Sequence, residues 1–284
     1  MQSAELRTWV WRGHEIRYTV CGEGQPLILV HGFGASVGHW RRNMPAWAES
    51  GYRAIALDLL GFGDSDKPPL SYSLELWESL LQDFSRELVG EPAVFIGNSI
   101  GALLSLMMAA RSPDLTRGAV LLNCAGGLNH RPSELPFFLR GPMQIFTNVA
   151  TSPAFGPVLF NLVRQKRQIR RSLSEVYSNR AAITDELVDM LHKPSCDPGA
   201  QAVFASILSG PAGIPPEDLL PVVDRPLLVA WGEDDPWTPI DRGRFYEKYS
   251  DRVTFVPIPN AGHCPHDERP EVINPLVLDW LATL

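Results

Sequence analysis

The chain has 284 residues, 45% of them hydrophobic and 20% charged, and a formal net charge of −7. That length suits one large α/β domain carrying an insertion, and the acidic balance argues against nucleic acid as a partner. Residues 1–7 lack the start of a signal peptide, no apolar run is long enough to span a membrane, and Cys21, Cys124, Cys196 and Cys264 form no CxxC pair. These features lead us to expect a soluble, cytoplasmic protein with free thiols.

In chain order, two alternating segments at residues 6–11 and 14–20, joined at Arg12-Gly13, suit an antiparallel hairpin. Apolar, β-branched runs follow at 26–30, 53–57, 93–96, 118–122, 226–230 and 253–258. Continuous runs of this length are what a parallel sheet covered on both faces requires. Helical patterns at 37–49, 73–89, 100–111, 241–249 and 270–284 lie between or after them. The alternation predicts a doubly wound α/β fold, with a mostly parallel eight-stranded sheet and helices on both faces. Ligands of such sheets bind at the carboxyl ends of the strands.

The alternation breaks over residues 127–216, a proline-punctuated stretch with helical patterns and no strand run. It reads as a helical cap inserted between core segments 1–126 and 217–284. This stretch holds nine Lys/Arg and six Asp/Glu, net +3, which leaves −10 for the remainder. The run Arg164, Lys166, Arg167, Arg170 and Arg171 is either a solvated helix face or a docking face for anionic headgroups or an acidic partner. Pro136-Phe137-Phe138-Leu139 and Met143-Gln144-Ile145-Phe146 either line a greasy acyl or prenyl channel or pack the cap on the core.

The chemistry centres on Gly97-Asn98-Ser99-Ile100-Gly101, a G-x-S-x-G between an apolar strand run and a helical one. In that setting the motif marks a nucleophile elbow, and side chains at its glycines would collide with the neighbouring strand or helix. A serine hydroxyl needs a general base to take its proton, and the base needs a third group to orient it. The run 227–231 stops at Gly232-Glu233-Asp234-Asp235-Pro236, and the run 253–258 stops at Pro259-Asn260-Ala261-Gly262-His263. Among the three carboxylates Asp235 is favoured, because Pro236 biases it towards an extended conformation. The loop Asn123-Cys124-Ala125-Gly126 offers no carboxylate. His263, preceded by a glycine, is favoured over His266.

His31 is expected beneath the site, hydrogen-bonded to backbone rather than catalytic. His14, His39, His130 and His192 show no metal-ligand spacing, so neither a metal nor a cofactor is expected. Backbone N–H groups of Ile100 and Phe33, the latter in His31-Gly32-Phe33-Gly34, are the expected oxyanion donors. That glycine-rich turn lacks both the Walker lysine and the third glycine of a dinucleotide site.

Taken with Asp58-Leu59-Leu60-Gly61-Phe62-Gly63-Asp64-Ser65 and Trp231-Gly232-Glu233-Asp234-Asp235-Pro236, these motifs resemble the α/β-hydrolase superfamily over nearly the whole chain. Related dehalogenases and epoxide hydrolases carry an aspartate as nucleophile, so Ser99 implies an ester-type substrate. Further likeness lies in Trp9-Val10-Trp11-Arg12-Gly13, Ile16-Arg17-Tyr18, Pro216-Glu217-Asp218-Leu219-Leu220-Pro221 and the tail Ala261-Gly262-His263-Cys264-Pro265-His266-Asp267-Glu268-Arg269-Pro270-Glu271. There the chain is similar to the cyanobacterial and plant pheophytinase and chlorophyll dephytylase group. That resemblance implies a cofactor-independent serine hydrolase of a small hydrophobic carboxylic ester, such as a phytyl ester. It also implies peripheral contact with a photosynthetic membrane through the cap. Ala102 departs from the group, whose members often carry glycine there, and a side chain at that position is expected to narrow the site. A carbon–carbon bond hydrolase using the same residues is the alternative enzyme reading. A non-catalytic binding protein would have no need of the intact serine, acid and histidine.

Overall fold

The computed structural model describes residues 5–129, 141, 145, 147–152 and 154–284. The strands are β1 (Leu6–Trp11), β2 (His14–Cys21), β3 (Gln25–Val30), β4 (Tyr52–Leu57), β5 (Ala93–Asn98), β6 (Thr116–Leu122), β7 (Leu227–Gly232) and β8 (Val253–Ile258). They form one eight-stranded sheet in the order β1-β2-β4-β3-β5-β6-β7-β8. β2 pairs antiparallel with both β1 and β4, and every other pairing is parallel.

Side chains alternate along each central strand, and each set feeds a different core. Ile28, Val30, Phe95, Leu121 and Val229 point to one face. There they meet α2 (Leu74–Phe84) and α3 (Ile100–Arg111). Leu29, Ile96, Val120, Leu228 and Ala230 point to the other face, against α1 (Met44–Glu49) and the C-terminal helix. Both faces are therefore dry, which explains why these strands read as continuous apolar runs.

Three expected helices are altered. The pattern at 37–49 splits into a 3₁₀ turn at Val37–Trp40 and the separate α1. Pro45 has no N–H to extend a preceding helix, so the chain breaks and α1 starts afresh. The pattern at 73–89 ends as a π turn over Ser85–Val89, closed by Gly90 at φ 75°. The pattern at 241–249 forms 3₁₀ turns, Ile240–Arg242 and Arg244–Tyr249, interrupted at Gly243. A Cβ on Gly243 would lie 2.8 Å from the Trp231 ring, so close packing on the strand takes precedence over helical regularity.

Between β6 and β7 the described residues contain helices and no strand. These are α4 (Gly156–Val163), α5 (Lys166–Val176), α6 (Asp185–His192) and α7 (Ala200–Ser209), followed by the short α8 (Pro216–Leu219). α5, α6 and the segment between them, with Cys264, form a third apolar cluster that includes Leu173, Val176, Tyr177, Ile183 and Leu187. After β8 come α9 (Pro265–Glu268) and α10 (Pro270–Leu281). The segments 136–139 and 143–146 expected to line a channel lie outside the described residues, except Ile145, which is exposed.

Candidate active site

Ser99 sits between β5 and α3 at φ 58° and ψ −120°. A non-glycine residue in that region carries on the order of 1–3 kcal/mol of strain, retained only where the surroundings enforce it. Here the surroundings are backbone. The Ser99 N–H donates to Leu122 O at 3.0 Å, and Ser99 O accepts from Ala102, Leu103 and Ala125. A Cβ on Gly97 would lie 2.1 Å from Gly101 O, and one on Gly101 would lie 2.1 Å from Val30 O. Both glycines are thus demanded by sterics, as the motif implied.

His263 and Asp235, expected from two strand-end loops, meet at an Nδ1···Oδ2 distance of 2.7 Å. Asp235 is 3% exposed. Its Oδ1 accepts from the backbone of Trp237 (2.8 Å) and Thr238 (3.1 Å), and its Oδ2 accepts from Asn123 Nδ2 (2.7 Å) and from the Thr238 hydroxyl. Burial alone would raise this carboxyl. The hydrogen bond and charge of His263, joined by the bonds from Thr238, outweigh it and hold the group below the ordinary carboxylate range. An ionised Asp235 accepts only, so His263 carries its proton on Nδ1 and leaves Nε2 as the basic nitrogen. Glu233 and Asp234 are exposed, and Asp234 accepts a 2.6 Å bond from Ser178 Oγ.

The other histidines have different surroundings. His31 is fully buried, its Nδ1 donating to Gly32 O at 2.7 Å and its Nε2 accepting from Leu59 N at 3.0 Å. Burial lowers its pKa to about 4, so it is a neutral brace between the ends of β3 and β4. His266 is fully buried against Trp40 and His39, and burial keeps its pKa well below the usual value. Asp58 braces the neighbouring loop by accepting from Val37 N (2.7 Å) and Asp64 N (2.8 Å). Burial pushes its carboxyl up to about 7.

The Gly32-Phe33-Gly34 turn passes against the serine, since a Cβ on Gly32 would stand 3.3 Å from Ser99 Cβ. Ile100 opens α3, where a backbone N–H has no acceptor inside its own helix. Phe33, Ser99 and His263 share the wall of a cavity of about 330 Å³. Most of the remaining wall is apolar, with Phe62, Phe160, Leu173, Phe204 and Trp237 prominent. Ala102 does not narrow this space. It is fully buried in the core under α3, because its position turns the side chain towards the sheet. Among the described residues no cluster of His, Cys, Asp or Glu could hold a metal ion.

Several residues that hold the site carry no motif for that role in the sequence. Asn98 Nδ2 donates to His263 O at 2.8 Å, and His263 N donates to Val176 O at 2.9 Å. Glu268, 1% exposed, accepts from Ser178 N (2.7 Å) and Asn179 N (3.0 Å) through Oε2, and from Gly262 N (3.0 Å) and Cys264 N (3.2 Å) through Oε1. It therefore binds both neighbours of His263 and the residues just after α5. Tyr177 donates to Asp267 Oδ2 at 2.9 Å, so the 2.9 Å contact from His39 Nε2 to the Tyr177 hydroxyl is a donation by the imidazole. The only sequence cue for these groups was their position beside strand ends and the Gly262-His263 pair.

The strand order, the positive φ of Ser99 and the strand-end acid and histidine agree with a match to the sequence model of the alpha/beta hydrolase family over residues 27–276. The chain belongs to the alpha/beta hydrolase family. The chain is 32% identical over 297 aligned positions to the chloroplastic pheophytinase of Arabidopsis thaliana, an alignment covering 91% of this chain and 61% of that protein. The chain thus spans less than two thirds of that relative's length. It is 27% identical to the 2-hydroxy-6-oxo-6-(2'-aminophenyl)hexa-2,4-dienoic acid hydrolase of Metapseudomonas resinovorans, across 95% of this chain and 88% of the other. Among solved structures, a serine hydrolase involved in carbazole degradation superposes with a TM-score of 0.80 at 24% identity, covering 99% of this chain and 100% of its own, and that likeness concerns the fold alone. No helix among the described residues is long and apolar enough to cross a membrane.

Proposed function

We propose that this hydrolase cleaves a hydrophobic carboxylic ester through an acyl-serine intermediate. The observation that carries the reading is the 2.7 Å His263–Asp235 contact at the wall of an apolar cavity that also holds the strained Ser99. Ser99 Oγ attacks the carbonyl carbon while His263 Nε2 takes the hydroxyl proton. Asp235 keeps the imidazole in the Nδ1–H tautomer and stabilises the imidazolium. The N–H groups of Phe33 and Ile100 receive the oxyanion, a contribution of about 3 kcal/mol per donor in comparable sites. The imidazolium then protonates the leaving alcohol, and His263 activates water to release the acid and regenerate Ser99.

The apolar wall favours a long-chain or prenyl-type alcohol or acyl group, and the likeness to pheophytinase supports a phytyl ester as the first substrate class to test. Ser99→Ala is expected to lower turnover of a p-nitrophenyl ester by about 10⁴-fold or more, with an unchanged circular dichroism spectrum. Activity close to the native level would remove the serine mechanism.

A second reading, carbon–carbon hydrolysis of a vinylogous diketone, is favoured by the 27% identity to the dienoic acid hydrolase over 95% of this chain. Assaying phytyl esters and ring-cleavage dienoates side by side separates the two, because one substrate class should dominate kcat/KM.

A further inference from the structure

α4 breaks the usual rule for a surface helix. Phe160 and Val163 on one side line the cavity, as a buried face should. The opposite side ought to be polar. Instead Phe155 just before the helix is 64% exposed, Val158 59% and Leu162 55%. Their spacing of three and four residues places them along one stripe. The clustering extends further. Of eleven large apolar side chains exposed among the described residues, five lie between residues 145 and 162. Two more, Phe33 and Trp237, stand on the cavity wall. Apolar exposure is thus concentrated on and around the roof of the cavity, and a solvated stripe of this kind on a monomer marks a contact surface.

The charges beside the stripe indicate what it contacts. Directly after α4 the chain turns into the basic α5. Most of that helix is neutralised locally, with Lys166 against Asp189 at 2.7 Å, Arg170 against Asp185, and Arg171 against Glu175 at 3.6 Å. Arg167, however, is exposed and makes no ion pair among the described residues. An apolar stripe followed five residues later in the chain by an exposed cation with no ion pair among the described residues is complementary to a lipid interface, with hydrocarbon beneath the stripe and anionic headgroups at the cation.

We propose that the outer face of α4 docks on a lipid surface bearing anionic headgroups, so that a membrane-dissolved ester enters the cavity from the bilayer side. This builds on the reading of the cavity as a hydrophobic-ester site. It also moves the membrane contact from the basic run to the apolar helix before it. Lateral entry spares a greasy substrate from crossing water.

The test is co-sedimentation of the full chain with vesicles of phosphatidylcholine, alone or mixed with phosphatidylglycerol. Native protein is expected to bind the mixed vesicles more strongly than the neutral ones. The combined variant F155S/V158S/L162S is expected to partition about tenfold less or weaker still. None of the three side chains lines the cavity, so its hydrolysis of water-soluble p-nitrophenyl acetate should stay within about twofold of native. Arg167→Gln should lose about fivefold or less, and only on anionic vesicles. Absence of native binding, or equal partition of native and triple variant, overturns the proposal. So does a dimer in sedimentation velocity that the triple variant dissolves without any vesicle binding, since the occupant would then be a second copy of the chain. Vesicle binding involves no catalytic step, so an active Ser99→Ala protein would remove the serine mechanism and leave the docking result standing.

Discussion

The segment between β6 and β7 meets the core in two contrasting ways. At the end of α5, Ser178 N and Asn179 N donate to the buried Glu268, whose other oxygen accepts from the amides on either side of His263. Tyr177 adds a bond to the fully buried Asp267. α4 has no such tie among the described residues. It contributes Phe160 and Val163 to the cavity and leaves Phe155, Val158 and Leu162 in solvent. Directional bonds to a buried carboxylate fix a loop within tenths of an ångström, as a histidine paired to an acid requires. Apolar contacts are non-directional and tolerate sliding, which suits the variable, greasy ligands proposed for this cavity.

The contrast can be broken most sharply at Glu268. Glu268→Ala leaves two buried backbone donors and two partly buried ones without their acceptor, so we expect a loss of about 3 kcal/mol in urea unfolding. A fall in kcat that exceeds any change in KM should accompany it, because His263 loses the amide bonds of both its neighbours. A native-like kcat would show that the histidine loop holds itself.

A smaller effect concerns pH. Burial raises the Glu268 carboxyl above its ordinary value of 4.5 despite the amides it accepts. A folded-state pKa above the unfolded one means a stability contribution fully present below about 4.5 and lost as pH climbs through the raised value. Unfolding free energy should therefore carry a downward component as pH rises above 4.5, and Glu268→Gln, though less stable overall, should lack it. Parallel slopes for the two proteins in urea midpoints measured across pH would contradict this assignment.

The smallest change is expected on α4. The triple substitution at Phe155, Val158 and Leu162 changes side chains that are more than half exposed, so its unfolding free energy should shift by less than about 1 kcal/mol. A loss comparable with Glu268→Ala would mean that the stripe is packed, and the contrast between the two regions would collapse.

Much of the site was legible because sheet chemistry is local. Apolar runs at 93–96, 227–231 and 253–258 announce buried strands, and the groups following them, Ser99, Asp235 and His263, project from the same edge. In sequence Pro236 favours Asp235 among the three carboxylates, and in the structure Asp235 Oδ2 lies 2.7 Å from His263 Nδ1. The supports were not legible. Asn123 reaches Asp235 across 112 residues and Glu268 reaches Ser178 across 90, and neither pairing leaves a local pattern. In sequence the loop of Asn123 shows only that it lacks a carboxylate, whereas in the structure its amide is what that loop contributes. The 3₁₀ turns at 240–249 leave no local pattern for a similar reason, as a tryptophan ring on β7 determines how closely Gly243 packs.

By itself the sequence determined the sheet, the elbow and the family, since hydrophobic periodicity and the steric demands of Gly97 and Gly101 act over a few residues. Tertiary structure alone decided how His263 is anchored, that Ala102 faces the core rather than the cavity, and that α4 shows an apolar face to solvent. Those outcomes depend on which distant surfaces meet. Burial and hydrogen-bond partnership belong to the packed whole, and a periodic pattern records only that a residue is apolar.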